Sequence, residues 1–368
     1  TIIQANNFGD RQAGDININA SGDFTMSQLF PDLTESRILS FAVADGTGSN
    51  INLTSQNINL NDSSSIFTST VGKGDGGTLT IKASGDINLT GGTVRNSNGD
   101  LPTTVSTNTN AINSTNVTGK GGNIIIDAQN INLVTGGIIQ SSVLGLNGGN
   151  AGDVIINATD SVSLIGETDT FAFISNIRSS SFGGGKAGNV EINTGRILLQ
   201  DGGLIEASNQ STGASGNVTL NVSESVTVEG SYFSPRTQSD VLSEIRAGTI
   251  RPIPLFQNAF GISPNPSGDS GSVTINSGVV NVADDARIIA VNEGTGDGGE
   301  ITITGDKLNL SNQASILATT DSGTGGVINL NLDEIISLRS QSQINAESLI
   351  TGSGGNININ SPSCNCRF

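Results

Sequence analysis

Apolar and polar residues alternate in short stretches of this chain, and the stretches recur at fixed distances from a glycine. The unit that starts at Gly122 shows the pattern, with apolar or small residues at Ile124 and Ile126, then Ile131 and Leu133, then Ile139 and Ser141. A period of two sends alternate side chains to one face of a strand. Each unit therefore predicts three short strands separated by corners.

The unit recurs along the whole chain. Its anchoring glycines are Gly14, Gly48, Gly77, Gly122, Gly152, Gly188, Gly216, Gly271, Gly299, Gly326 and Gly355. Repeats of this kind bury a continuous core by stacking on their neighbours. We therefore predict an all-β, three-sided parallel β-helix of about eleven coils, a single domain over residues 1–368. With parallel strands about 4.8 Å apart, the rod would be on the order of 50 Å long.

An antiparallel sandwich or barrel also gives short alternating strands with turns every eight to twelve residues. It does not explain why the same three-strand unit returns with a small residue at the same point of its third strand. Ala207, Ala290 and Ala318 occupy that point in three units. The repeat therefore favours the β-helix.

Glycine accounts for 49 of the 368 residues, a composition that without periodicity would indicate disorder. In a solenoid, glycine at a corner permits a positive φ or a close approach of backbones. Asparagine tolerates similar conformations, and its amide can bond to the neighbouring coil. We expect both residue types to form corners and ladders.

The charge excludes several kinds of partner. The net charge is −17, with no histidine and few lysines, so no basic stripe is available to neutralise phosphates. We expect no nucleic-acid partner, and anionic membranes are disfavoured for the same reason. No apolar run approaches the length of a membrane span. The acidic surface keeps a long rod soluble and can associate weakly with divalent cations.

Candidate catalytic residues are sparse. The absence of histidine removes Ser-His and Cys-His nucleophiles and most zinc sites. The best local candidates for carboxylate chemistry are Asp284 and Asp285 with Arg287, and Glu206 on a third strand. We expect the aspartates to form a solvated corner and Glu206 to face solvent. The sequence predicts a protein that is not an enzyme.

Two glycine-rich turns resemble half of a calcium-binding nonapeptide found in another β-roll family. They span residues 72–77 (GKGDGG) and 294–299 (GTGDGG). That family needs the motif every nine residues so that consecutive turns share each ion. Here it occurs at most once per coil. We expect no cofactor or structural metal and at most weak Ca²⁺ association.

The two cysteines, Cys364 and Cys366, fall at the inward positions of a second strand counted from Gly355. A single Cys-x-Cys pair supplies too few ligands for a structural metal and forms no disulfide framework. We expect them to be small core residues, and an intermolecular disulfide or a reactive role is the alternative.

Inserts interrupt the period near residues 24–45, 95–116, 167–174 and 231–267, and they hold most of the aromatic residues. Loops on a rigid scaffold often carry function. We expect these loops to fold back and bury their own aromatics on a sheet face. The alternative hypothesis is a contact surface for a glycan or a neighbouring rod at Tyr232, Phe233, Phe256 and Phe260.

Residues 149–166 (GNAGDVIINATDSVSLIG) and 188–208 (GNVEINTGRILLQDGGLIEAS) resemble the repeats of filamentous haemagglutinin-like bacterial exoproteins of the two-partner-secretion type. The resemblance covers nearly the whole chain. It implies a right-handed parallel β-helix, export through an outer-membrane partner, and a place on the cell surface as an adhesin or fibre. The chain lacks that family's N-terminal secretion domain and a signal peptide, so we expect a mature or excised stretch.

Both ends of the chain fall inside a coil. Residues 1–6 resemble a third strand, and the last residues supply a first strand and then a second. Open coils expose backbone that can pair with another chain. One hypothesis is head-to-tail stacking of subunits, in which the next chain completes the last coil; the other is that a longer solenoid was cut here. The interface residues would be Ile2, Ile3, Ala5, Ile357, Ile359, Cys364 and Cys366.

Together these patterns predict an extracellular structural or adhesive β-helix, either a fibre subunit or the shaft of an adhesin. The partners would be further copies of the chain, glycans or cell surfaces. The alternative is a carbohydrate-active β-helix enzyme that acts on extracellular polysaccharide. A third option is a passive cation- or ice-binding array of Thr and Asn ladders.

Overall fold

The computed structural model of the chain is a parallel β-helix. It describes residues 2–27, 36–43, 45–91, 95–96, 99–100, 102–110, 118–166, 173–234 and 238–367. The predicted fold class is confirmed. Its one described helix, α1, spans Pro254–Phe260, and it is too short to cross a membrane.

The strands of the first half, in chain order, are β1 Ile2–Asn7, β2 Ile16–Asn19, β3 Phe24–Met26, β4 Arg37–Val43, β5 Ile51–Ser55, β6 Ile58–Asn61, β7 Ser65–Val71, β8 Leu79–Ala83, β9 Ile87–Thr90, β10 Arg95–Asn96, β11 Gly99–Asp100, β12 Thr103–Asn110, β13 Ile124–Val134, β14 Gly137–Leu144, β15 Val154–Ile165 and β16 Asn176–Ser181. Those of the second half are β17 Val190–Gln200, β18 Leu204–Asn209, β19 Val218–Glu229, β20 Ser231–Ser234, β21 Ser239–Leu242, β22 Glu244–Thr249, β23 Val273–Ala283, β24 Arg287–Asn292, β25 Glu300–Ser311, β26 Ser315–Thr324, β27 Val327–Arg339, β28 Gln343–Ser353, β29 Asn356–Asn360 and β30 Cys364–Arg367.

Two parallel sheets run the length of the rod. The third strands form an eleven-stranded sheet in the order β1-β4-β7-β12-β14-β16-β18-β22-β24-β26-β28. The first strands follow the order β2-β5-β8-β13-β15-β17-β19-β23-β25-β27-β29 in a fifteen-stranded sheet that also holds β3, β6, β9 and β30. Each strand therefore pairs with its counterpart one coil away, and the predicted eleven coils are present.

The first and second predicted strands are separate only in the early coils. From β13 onward they join into one strand of 11 to 13 residues, apart from the last coil, where β29 and β30 are separate. The bend between the two segments appears as a register shift, for example between Ala128 and Asn130. The interior still has three sides, because the joined strand turns at this point.

The core consists of stacked apolar columns. The first strands contribute a column that includes Ile51, Ile124, Val218 and Ile301, all fully buried. Equivalent columns run along the second and third segments, such as Leu133 and Ile139 in the fourth coil. Side chains on every second residue meet their own counterparts above and below, so each coil buries the face of the next.

The anchoring glycines are required for close approach and not for a positive φ. From Gly77 onward, a Cβ on an anchor would overlap the carbonyl oxygen of the preceding coil, as at Gly188 against Gly152. None of the anchors has a positive φ. Apart from Gln238 in the hairpin, the described non-glycine residues with left-handed backbone lie instead at the corner before the third strand, where Asp284 and Asp285 have φ of 55° and 65°.

Hydroxyl groups of the early third strands bond to these anchors. Ser141 Oγ donates to Gly122 O at 3.0 Å, and Ser179 Oγ donates to Gly152 O at 2.9 Å. Alanine replaces the hydroxyl residues from Ala207 onward in the same column. The small residue predicted in each third strand therefore serves the packing of the glycine corner.

Asparagine ladders follow the outer surface, as predicted. Asn193 Nδ2 donates to Asn157 Oδ1 at 2.9 Å, and Asn221 Nδ2 donates to Asn193 Oδ1 at 2.8 Å. Asn276 continues the ladder at 2.9 Å. Each amide is both donor and acceptor, so identical residues in successive coils can bond to one another along the rod.

Two predicted inserts contain regular strands. The region near 24–45 includes β3 and β4, and residues 28–35 and 44 lie outside the described part. The region near 95–116 includes β12, the third strand of its coil, paired with β7 and β14. These two inserts are therefore shorter than predicted. Of the insert near 167–174, the structure describes only residues 173 and 174.

Candidate functional site

Charged side chains form a ladder on the outer face of the eleven-stranded sheet. Gln140, Arg178, Glu206 and Arg246 occupy equivalent positions of β14, β16, β18 and β22. Arg178 donates from Nε and Nη2 to Gln140 Oε1 at 2.9 and 2.6 Å. Arg246 donates from Nε and Nη2 to Glu206 Oε1 at 3.1 and 2.8 Å. Alternating charge lets neighbouring coils stack polar residues here without like-charge repulsion.

This charged ladder is shielded from solvent. The side chain of Glu206 is 5% exposed and that of Arg246 is 23% exposed. Arg246 Nη1 also lies 3.2 Å from Glu244 Oε2. The prediction that Glu206 faces solvent is wrong: its strand position points outward, but the folded chain covers that face. A buried carboxylate needs such partners to remain charged.

Desolvation by burial would raise the pKa of Glu206, but the positive charges of Arg246 and Arg178 outweigh it and hold that pKa below its ordinary value. Burial lowers the pKa of Arg178, and Glu206 opposes this shift. Arginine stays protonated across the physiological range. At neutral pH the ladder therefore holds an ionised carboxylate between two guanidinium groups.

Two further polar side chains are buried beside the ladder, Asn176 at 3% exposed and Ser208 at 1% exposed. Asn176 Oδ1, two residues before Arg178, has no hydrogen-bond partner in the described part of the chain. Ser208, two residues after Glu206, helps to hold the pKa of that carboxyl down. The surroundings of the ladder are therefore polar.

The long insert folds against the rod on both sides of β22. Before β22, β20 and β21 pair as an antiparallel hairpin. After it, α1 brings Phe256 against Phe182, with ring centroids 5.2 Å apart and planes at 87°. Phe182 is 4% exposed. This contact is the fold-back arrangement that the sequence favours.

The predicted aromatic contact residues do not share one environment. Phe233, on the hairpin, is 55% exposed, whereas Tyr232 beside it is half-buried. Phe256 is half-buried against the rod, and the side chain of Phe260 lies outside the described part of the structure. Of these residues, Phe233 alone is described as exposed. A contact surface at this insert remains a hypothesis.

The residues proposed for end-to-end assembly lie on the two terminal coils. Ile2 and Ile3 are 50% and 44% exposed, and Ile357 and Ile359 are 42% and 50% exposed. Ala5 is partly buried against the core. β1 pairs with β4 in the register expected of a third strand. The predicted strand assignments at both ends therefore hold, and the assembly interface stays a hypothesis.

Cys364 and Cys366 occupy inward positions, since they align with Ile336 and Leu338 of the preceding coil. Both are nevertheless exposed and free, so the expectation that they are core residues is wrong for this chain. Their sulfur atoms lie 3.5 Å apart, and the hydrogen bond with Cys366 raises the pKa of Cys364.

The remaining sequence candidates are corner residues. Asp284 and Asp285 form the exposed left-handed corner, as predicted, and Arg287 begins the next strand. In the two calcium-like turns, Asp75 Oδ1 accepts from Lys120 N and Asp297 Oδ1 accepts from Thr324 N, both at 2.9 Å. Among the described residues, no group of three or more Cys, Asp or Glu side chains could hold a metal ion.

Sequence reasoning missed Arg178 and Arg246. The signal is an alternation of charge at the same offset of consecutive third strands, which becomes visible only when the coils are aligned across inserts of different length.

No family model matches the chain, and no curated protein or solved structure is significantly similar to it.

Proposed function

We propose that this β-helix is a structural or adhesive element of an extracellular protein, either the shaft of an adhesin or a subunit of a surface fibre. The observation that carries the proposal is the unbroken pairing of all eleven coils in both sheets. Such a rod is an extended, rigid scaffold, and it presents its inserts at fixed positions along its length.

The proposed location rests on the resemblance of the repeats to haemagglutinin-like exoproteins and on the acidic surface. Export through an outer-membrane partner would follow from that relationship. A net charge of −17 keeps neighbouring rods apart and soluble at high local concentration. Surface fibres and adhesin shafts both need this property.

End-to-end contact is part of the proposal. The exposed apolar residues of the terminal coils, such as Ile3 and Ile359, are surfaces that a further coil would cover. Further coils could belong to the same polypeptide or to a second copy. In either case the added strands would continue the parallel sheets by pairing with an open edge.

A carbohydrate-active enzyme is the second candidate, and the charged ladder is the observation in its favour. Glu206 and Glu244 both contact Arg246. A glycosidase of the common type needs one carboxylic acid that is protonated at the working pH. The low pKa of Glu206 makes it a poor proton donor, so we favour the structural role.

Electron microscopy of the purified chain tests the structural role. We expect rods with a stacked-coil repeat of about 4.8 Å along the axis. Rods of uniform length would contradict self-assembly by this chain while leaving the shaft role intact. Release of reducing sugars or unsaturated products from extracellular polysaccharides, lost in Glu206→Gln, would instead support the enzyme.

A further inference from the structure

A polar trough follows one corner of the rod, between the third strands and the first strands that follow them. Its cavity volume is about 440 Å³. The floor consists of small anchor-region residues such as Gly152 and Gly188. Its walls carry the longer polar side chains, which are Lys120, Asn123, Asn150, Asp153, Lys186, Asn189 and Asn217.

Backbone contacts orient the amides of the trough. Asn123 Oδ1 accepts from Asp153 N at 2.9 Å, and Asn189 Oδ1 accepts from Asn217 N at 3.0 Å. Asn150 Oδ1 accepts from Lys186 N at 3.0 Å. Each amide oxygen is thus held by the next coil. The matching Nδ2 groups have no hydrogen-bond partner within the described part of the chain, so they are fixed donors available to a ligand.

The two lysines add positive charge to this donor set. The ammonium groups of Lys120 and Lys186 form no ion pair with any described residue, although the chain as a whole is strongly acidic. By contrast, Lys73 and Lys307 are paired with Asp45 and Glu334. Asp153 is the one carboxylate among the residues that line the trough. The residues that line the trough therefore carry two positive charges and one negative charge, and the carboxylate of Asp75, whose Oδ1 accepts from Lys120 N, lies beside one end.

The lysines alternate with an asparagine along the axis. Lys120, Asn150 and Lys186 occupy the same corner position in three successive coils, because Gly121 N bonds to Asn150 O and Ala151 N bonds to Lys186 O. Two strand spacings separate the lysines by roughly 9.6 Å. A pyranose unit of an extended glycan is about as long as one spacing.

From this geometry we infer that the trough binds an extended acidic polysaccharide with a carboxylate on every second sugar. Lys120 and Lys186 would contact successive carboxylates, and the asparagine amides would donate to ring and hydroxyl oxygens. Asp153 would accept from a sugar hydroxyl. This inference rests on the proposed adhesive function and names the class of ligand that the protein would adhere to. At about 0.15 M salt, repulsion from distant carboxylates is screened beyond about 8 Å.

Calorimetry with defined glycans tests the site. The probes are hyaluronan oligosaccharides, with alternating carboxylates, polygalacturonate, with a carboxylate on every sugar, and neutral dextran. We expect hyaluronan to bind most tightly. The double variant Lys120→Gln with Lys186→Gln should lose about tenfold in affinity, since two solvent-exposed ion pairs with the glycan are removed.

The control variant is Lys82→Gln with Lys307→Gln, which changes the net charge equally at two paired lysines that do not line the trough. It should bind hyaluronan within about twofold of the unmodified chain. Equal loss in both variants, polygalacturonate binding as tight as hyaluronan, or no binding above dextran would each overturn the site. Rods that are present on the cell surface but bind no glycan would overturn the site and leave the shaft proposal standing.

Discussion

The carbonyl oxygen of Gly152 occupies the space that a Cβ on Gly188 would need. The same relationship links each anchor from Gly77 to Gly355 with the coil before it, so the anchors set how closely the coils stack at this corner. Side chains cannot replace glycine here without moving the backbone of one of two neighbouring coils.

Gly188→Ala should therefore destabilise the middle of the rod. An added methyl group in a closely packed site costs about 1–3 kcal/mol. Hydrogen exchange should rise in β15 and β17, which flank the corner. Gly14→Ala is the matched control, because a Cβ at this anchor meets nothing within 4 Å. Equal protection in the Gly188→Ala protein would show that the corner is looser than its geometry indicates.

Removing the charge of Glu206 should also destabilise the chain at neutral pH. Glu206→Gln removes the carboxylate that faces both arginines and leaves Arg246 with Glu244 alone, and loss of one partner of a buried pair costs about 3 kcal/mol or more. Denaturant unfolding measures the effect. Glu334→Gln, which removes an exposed partner of Lys307, is the control and should change little. Equal losses for the two variants would contradict the burial of the ladder.

The same carboxylate predicts an acid dependence. Because the pKa of Glu206 is lowered in the folded chain, its stabilising effect is fully present above the ordinary value of 4.5 and is lost as pH falls through the folded pKa. The stability gap between the unmodified chain and Glu206→Gln should therefore narrow below about pH 4.5. A gap that stays constant down to pH 2 would contradict a lowered pKa for Glu206 in the folded chain.

The contact between Phe256 and Phe182 should hold the long insert against the rod. Phe256→Ala removes an edge-to-face pair worth about 0.5–1.5 kcal/mol beyond its buried area. We expect faster proteolysis near α1, with the coil strands still protected. Phe233→Ala changes an exposed aromatic and should leave the cleavage rate unaltered. Unchanged cleavage in both variants would indicate that other contacts fix the insert.

The repeat predicted the fold well because its signal is local. Ile124 and Ile126 alternate with polar residues, and their burial follows from that spacing alone. Strand β12 was missed for the complementary reason. Its sequence, TTVSTNTN, has one apolar residue, and its inward Thr107 satisfies its hydroxyl by donating to Gly122 O at 2.5 Å.

Long-range contacts explain what the sequence did not predict. The outward direction of Glu206 follows from the period of two, but its burial depends on parts of the chain far away in sequence. Likewise, the role of Gly188 as a site of close approach depends on Gly152 in the preceding coil. The trough that Lys120 and Lys186 line is not evident in the sequence, because inserts of different length separate the coils that form it.

The central claim, that this β-helix is a rod exposed outside the cell, is tested most directly by immunogold electron microscopy of intact cells that make the protein. The antibody should be raised against the folded chain, and permeabilised cells provide the comparison. We predict dense labelling of intact cells at the surface or on filaments, with no large increase after permeabilisation. Label confined to the interior of permeabilised cells would contradict the claim.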